Sequence, residues 1–297
     1  MALSKAPPAD TPFLPKDTFK NDVILITGGG TGIGKGLATE FARLGGTIVI
    51  ASRGAEHRAS GVKAIEAMGG KAVDVELNIR DAAAVKAAFD EAEEKAGPVS
   101  ILINNAAANF PTVADELSPN GWHAIVQAVL DGTFFCSTEF ARRRVAAGKR
   151  GAVLNIGATY GWTGCGGAAP AAAAKAGVMN LTQSLAVEWA PDDIRINTIC
   201  PGVFPHDDFP AAMKARMLPP DELAKNIPAQ RVGEMHEIGW LACYLCSPYA
   251  AYITGHNAVI DGANWHRREL SMPLFRPVRE WASTKNVREQ ERAKAAE

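Results

Sequence analysis

The sequence predicts an α/β fold: one domain on a doubly wound parallel sheet of about seven strands, with helices on both faces. Three observations carry this. Short runs of aliphatic and β-branched residues recur along the chain, segments with apolar residues at helical spacing separate them, and a glycine cluster follows the first run. Alternation of strand-like and helical stretches argues for a parallel sheet covered on both faces by helices.

The elements follow in order. After a Pro-rich arm over 1–20, VILIT at 23–27 opens the sheet. TIVIAS at 47–52, KAVDVEL at 71–77 and ILIN at 101–104 supply the next strands. AVLNIG at 152–157, IRINTI at 194–199 and NAVID at 257–261 complete the set. Residues 33–44 and 82–96 have helical periodicity, a long helix is expected over 118–148, and an Ala-rich helix surrounds Lys175. The folded domain is read as 21–265. Within it, 203–230 is rich in proline and charge, either a segment that covers a substrate or an ordinary surface excursion. A charged tail occupies 266–297, with disorder expected towards its end.

Composition narrows the function classes. A chain of 297 residues, 47% hydrophobic, can bury a full core. Its 31 basic and 32 acidic residues nearly cancel, which points to neither nucleic acid nor an anionic membrane as partner. No apolar run approaches the ~20 residues of a membrane span, and the N-terminus lacks the apolar core of a signal peptide. Five scattered cysteines fit reduced thiols and a cytoplasmic location. Cys243 and Cys246 form a CxxC, but inside the apolar LACYLC, where core packing is expected rather than zinc. Six histidines lack metal-ligand spacing, so no metal is expected.

The glycine cluster lies in VILITGGGTGIGKG, directly between a strand and a helix. Gly28, Gly32 and Gly34 let the backbone turn tightly and approach a pyrophosphate, whose charge suits the helix N-terminus; Thr31 and Ile33 belong to the same turn. The second strand ends IASR, with Ser52 and Arg53 where an acidic residue would select NAD. An arginine can pair with a 2′-phosphate, so the expected cofactor is NADPH/NADP. Asn78, ending the third strand, is either an adenine contact or a turn residue. Lys175, a lone charge in AAAAKAGV, is expected to face something specific.

TGGGTGIG at 27–34, NNAA at 104–107, Lys175 and Pro201–Gly202 together resemble the short-chain dehydrogenase/reductase family over roughly 20–263, which implies a single Rossmann-type domain. Within that family, ITGGGTGIGKG, VIASR, INNAAANF, LSPNGW, VLDGT, ATYGWTG, AKAGV and LAVEW look most like the 2,4-dienoyl-CoA reductases, particularly the mitochondrial type. The resemblance implies NADPH-dependent reduction of an unsaturated acyl-CoA thioester, in a homotetramer. An alcohol dehydrogenase of this kind would carry a tyrosine one turn before Lys175; here that position is Ala171, and the nearby tyrosine is Tyr160.

By resemblance, Tyr160 donates to the thioester oxygen and Lys175 binds the nicotinamide ribose. Asn104, Asn105 and Ala106 wall the nicotinamide side, Pro201, Gly202 and Val203 bracket its amide, and Asn109 and Phe110 line the acyl channel. Asp131 departs from the pattern, which has asparagine there. Three arrangements stay open: a neutral carboxyl that donates like the amide, a carboxylate turned away, or a different substrate. Arg53, Arg58, Lys214 and Arg216 are the cations available for CoA phosphates. The alternatives are an oxidoreductase of a CoA-linked ketone or alcohol, and a cofactor-binding protein without turnover.

Overall fold

The computed structural model describes residues 2–206, 208, 219–267 and 277–279. Seven parallel strands form one sheet in the order β3-β2-β1-β4-β5-β6-β7. They are β1 (Val23–Thr27), β2 (Thr47–Ser52), β3 (Lys71–Glu76), β4 (Ile101–Asn104), β5 (Gly151–Ile156), β6 (Ile194–Pro201) and β7 (Asn257–Ile260). Each expected strand is present, with ends within two residues of the reading.

The helices are α1 (Gly32–Arg43), α2 (Ala55–Glu66), α3 (Ala82–Ala96), α4 (Pro119–Val126), α5 (Gly132–Ala147), α6 (Tyr160–Thr163), α7 (Ala169–Trp189), α8 (Pro220–Ala224) and α9 (Met235–Cys246). The single long helix expected over 118–148 is interrupted: Gln127–Asp131 between α4 and α5 is a π-helical segment. Tyr160 opens the short helix α6.

Strand residues divide strictly between two core layers. Ile24, Ile26, Ile48 and Ile50 pack with Leu37 and Phe41 of α1 and Ile238 of α9. Leu25, Val49, Val75 and Leu102 face the other way, onto Phe89 of α3, Phe140 of α5 and Leu185 of α7. Burying each such aliphatic side chain contributes about 1.5–3 kcal/mol, so the two layers, rather than helix propensity, hold the helices in place. Cys243 and Cys246 sit in the first layer, where burial pushes the Cys246 thiol up to about 12.

The N-terminal arm lies against the body. Phe19 is fully buried beside Phe41, Phe13 stacks on Trp240, and the Leu3 N–H donates to the Ala229 carbonyl. Among the described residues no helix is long and apolar enough to cross a membrane.

β1 is the third strand of the seven, with β2 and β3 on one side and β4 to β7 on the other. The strand order therefore reverses between β1 and β4. The loops leaving their carboxyl ends separate there and open a crevice, which is where ligands bind in sheets of this kind.

Candidate active site

Two turns meet at the β1/β4 crevice. Gly28 takes φ +66°, and its N–H donates to the Ala51 carbonyl at 2.7 Å. A Cβ on Gly34 would lie 2.4 Å from the Gly28 carbonyl oxygen and 2.5 Å from the Asn105 amide, so only glycine closes this turn. Asn105 Nδ2 donates to the carbonyls of Thr27 and Gly28, while Thr27 Oγ1 accepts from the N–H groups of Asn105 and Ala106 at 3.0 Å. These bonds lock the glycine turn to the loop after β4.

The turn's donors fit an anion. The Gly32 N–H, at the start of α1, donates to a carboxylate oxygen of Asp208 at 2.8 Å, and Lys35 Nζ lies 3.9 Å from the other oxygen. The His206 ring covers Gly32, 3.0 Å from where a Cβ would stand. A protein carboxylate thus takes the position that suits a dinucleotide pyrophosphate, at a helix N-terminus whose dipole favours negative charge. Thr31 precedes α1 with its hydroxyl uncommitted to capping, and Ile33 is half-buried in the first turn. Neither Asp208 nor His206 stood out in the sequence, because a contact 176 residues distant leaves no local signal.

At the end of β2, Arg53 is exposed and forms no ion pair among the described residues. Arg58, five residues on, is buried and committed. Its Nε donates to Asp74 at 2.8 Å and its Nη1 to the carbonyls of Ser52 and Arg53. This overturns its place among the cations for CoA: it holds the β2 terminus instead. Lys214 and Arg216 lie outside the described residues. Asn78 Oδ1 accepts from the Arg80 N–H at 3.3 Å, in the turn after β3.

Lys175 is 7% exposed, and its Nζ donates to the Ile156 carbonyl at the end of β5. Burial lowers it from 10.5 to about 8, partly opposed by Cys200. Ala171, one turn earlier, is buried in an apolar cluster with Ile125, Val129, Ala174 and Val178, and Tyr160 packs onto that cluster. A Cβ on Gly161 would lie 3.1 Å from the Ala176 N and 3.3 Å from the Lys175 carbonyl carbon. The glycine after Tyr160 therefore lets α6 sit directly on α7 at Lys175. Burial, and secondarily Cys165, raises the Tyr160 hydroxyl above its ordinary value. It stays protonated at neutral pH, a donor rather than a phenolate.

Asp131 ends the π segment, half-buried, with no hydrogen bond or ion pair among the described residues. It is not a cause of the shift at either Tyr160 or Lys175. Its neighbour Val129 belongs to the apolar cluster onto which Leu130 and Tyr160 pack. Beneath the site runs a buried polar chain that the sequence reading missed. Asn104 Nδ2 donates to Ser137 and Asn155, Asn155 Nδ2 donates to Thr182, and Thr182 meets Thr198, each at 2.8–2.9 Å. It fixes the ends of β4, β5 and β6 relative to α5 and α7, and it commits the Asn104 side chain to the protein interior.

Pro201, Gly202 and Val203 leave β6 at the same edge, where the Gly202 N–H donates to the Ile260 carbonyl. Asn109 and Phe110 are exposed on the loop after β4, the Phe110 ring close to Gly121 at the start of α4. Residues 209–218 and most of the tail lie outside the described residues. Arg279 nevertheless meets Asp115 at 2.5 Å, beside that same loop.

The family model described as Enoyl-(Acyl carrier protein) reductase matches residues 28–263. The chain belongs to the short-chain dehydrogenase/reductase family. It is 37% identical over 248 residues to a Bacillus subtilis protein named probable 2,4-dienoyl-CoA reductase, covering 83% of this chain and 98% of that one. It is 35% identical to a peroxisomal 2,4-dienoyl-CoA reductase of Pongo abelii, covering 84% and 85%. Among solved structures, a gluconate 5-dehydrogenase from Burkholderia cenocepacia in complex with NADP and tartrate superposes with a TM-score of 0.77. It shares 31% identity, over 85% of this chain and 99% of that one. These dienoyl-CoA reductase relatives are bacterial and peroxisomal, so the resemblance stands at the level of the dienoyl-CoA reductases and not of a mitochondrial type.

Proposed function

We propose that this short-chain oxidoreductase is an NADPH-dependent reductase of an unsaturated acyl-CoA thioester, a 2,4-dienoyl-CoA. The observation that carries the reading is the seating of α6, which begins at Tyr160, on α7 at Lys175, with Ala171 where a helix-borne hydroxyl would stand. The relatives' names support the substrate class, and the unpaired Arg53 supports a 2′-phosphate on the cofactor.

The glycine turn, Lys175 and the Pro201–Val203 segment would hold NADPH, which supplies a hydride when bound. Reduction at the far end of the conjugated system moves charge onto the thioester oxygen. The Tyr160 hydroxyl, kept protonated by burial, donates a hydrogen bond to that oxygen more strongly as the charge grows. Lys175, fixed by the Ile156 carbonyl, binds the ribose hydroxyls and keeps the field positive. Asn109 and Phe110 wall the acyl chain. The enzyme works as a homotetramer through the exposed face of α5 and α7, in a reducing compartment such as the cytoplasm, consistent with its free cysteines.

Asp131, which stands where the dienoyl-CoA reductase pattern has asparagine, favours a second reading, a CoA-linked ketone or alcohol as substrate. Tyr160→Phe tests the first. Turnover of a dienoyl-CoA should fall about 100-fold, the scale of one lost oxyanion donor, with the dissociation constant for NADPH unchanged. Unaltered turnover removes Tyr160 from the chemistry.

A further inference from the structure

The amino-terminal edge of the sheet, opposite the crevice, carries a concentration of charge that the proposed chemistry does not use. A cavity of about 490 Å³ opens there, and Arg144, Lys149, Arg150 and Arg195 line it together with Asp22 and Asp193. Four cations against two carboxylates leave an excess of two positive charges.

The two inner cations are held by backbone carbonyls rather than by ion pairs. Arg144, 8% exposed, donates from Nε and Nη2 to the Arg150 carbonyl at 2.8 and 2.6 Å. Arg195 donates from Nη1 to the carbonyls of Leu245 and Ile253 and from Nη2 to that of Ser247. Backbone carbonyls orient a guanidinium but bring no formal charge to balance it. None of the four cations forms an ion pair among the described residues, whereas Arg143 meets Asp90, Glu93 and Glu139, and Arg231 meets Glu237. Asp22, which accepts from Ser100 Oγ at 2.8 Å, and Asp193, which is exposed, offset part of this charge without an ion pair to either guanidinium. Burial nonetheless holds both Arg144 and Arg195 below the ordinary arginine range, opposed by Asp22 and Glu93 at Arg144 and by Cys246 and Asp193 at Arg195.

We infer that this pocket binds a phosphate-class dianion, either free phosphate or the phosphate end of a small metabolite. Two guanidiniums fixed in advance lose little freedom on binding, and the N–H groups they do not commit to carbonyls remain for an oxyanion. Lys149 and Arg150, exposed at the rim and without side-chain bonds, complete the charge. The cavity lies within the size range of small-molecule sites, so a phosphomonoester has room beyond the oxyanion.

Thermal unfolding of the full chain tests this, with inorganic phosphate or glycerol phosphate added at constant ionic strength against chloride. Wild type, the Lys149→Ala/Arg150→Ala double variant and Arg53→Ala, altered only at the cofactor crevice, are compared. Phosphate should raise the midpoint in wild type and Arg53→Ala alike. The double variant should need at least about tenfold more phosphate for the same rise, the scale of two lost charge-assisted contacts. A larger rise with glycerol phosphate assigns the site to a phosphomonoester; an equal rise assigns it to the free ion. The same phosphate dependence in the double variant and wild type overturns the inference, as does no rise over chloride in wild type.

Discussion

Lys175 shows how one residue's surroundings set its chemistry. Its ammonium is enclosed by an Ala-rich helix and held by a carbonyl, with no carboxylate beside it, so its proton leaves near pH 8 rather than near 10.5. For stability the sign is clear: the folded chain bears the cost of a buried ammonium below about pH 8. It sheds that cost as the pH rises towards 10.5, so this group makes the fold more stable on the alkaline side. Activity runs the opposite way if the positive charge is needed. We expect kcat/KM to fall above about pH 8, and initial rates measured on both sides of that pH decide it; a flat profile there means the ammonium is dispensable. Arg53 is legible at the same scale. Arg53→Ala should weaken NADPH about tenfold or more, as loss of a charged hydrogen bond does, and NADH hardly at all. Equal losses in titrations of the two cofactors would mean that Arg53 does not read a phosphate.

At the scale of elements, strands are the most legible part of this chain. Ile24–Ile26 or Ile48–Ile50 read as strands because both faces are buried, which forces nearly unbroken apolar runs. Helix interiors follow from periodicity, but the π segment at Gln127–Asp131 does not, since nothing in its residue types distinguishes it from the helix on either side. Tyr160 could be placed from its spacing to Lys175, whereas the Asn104–Asn155–Thr182–Thr198 chain joins residues far apart and only the assembled sheet reveals it. The face of α5 and α7 makes its own prediction. Phe134 and Val145 are 43% and 47% exposed there, alongside Leu181 and Trp189, an apolar patch of the kind that a second subunit covers. Light scattering should give four chain masses for wild type and fewer for Phe134→Asp; a single chain mass for wild type removes the tetramer.

For the whole molecule, the sheet sorts its functions by edge. The carboxyl edge gathers the glycine turn, Lys175, Tyr160 and the Pro201–Val203 segment from stretches more than a hundred residues apart, because every parallel strand delivers its following loop to that side. The amino edge gathers Arg144 and Arg195, which no local motif announces. Pattern alone leads as far as a dinucleotide oxidoreductase; the proposed substrate class rests on Tyr160 beside α7 and on the relatives' names. The most direct test is consumption of NADPH with a 2,4-dienoyl-CoA beside a 3-ketoacyl-CoA, followed by the nicotinamide absorbance. Consumption with the dienoyl thioester alone is the predicted result, and it would show that Asp131 tolerates charge on the thioester oxygen. Consumption with the ketone alone would contradict the account and assign proton donation to a group other than the one proposed.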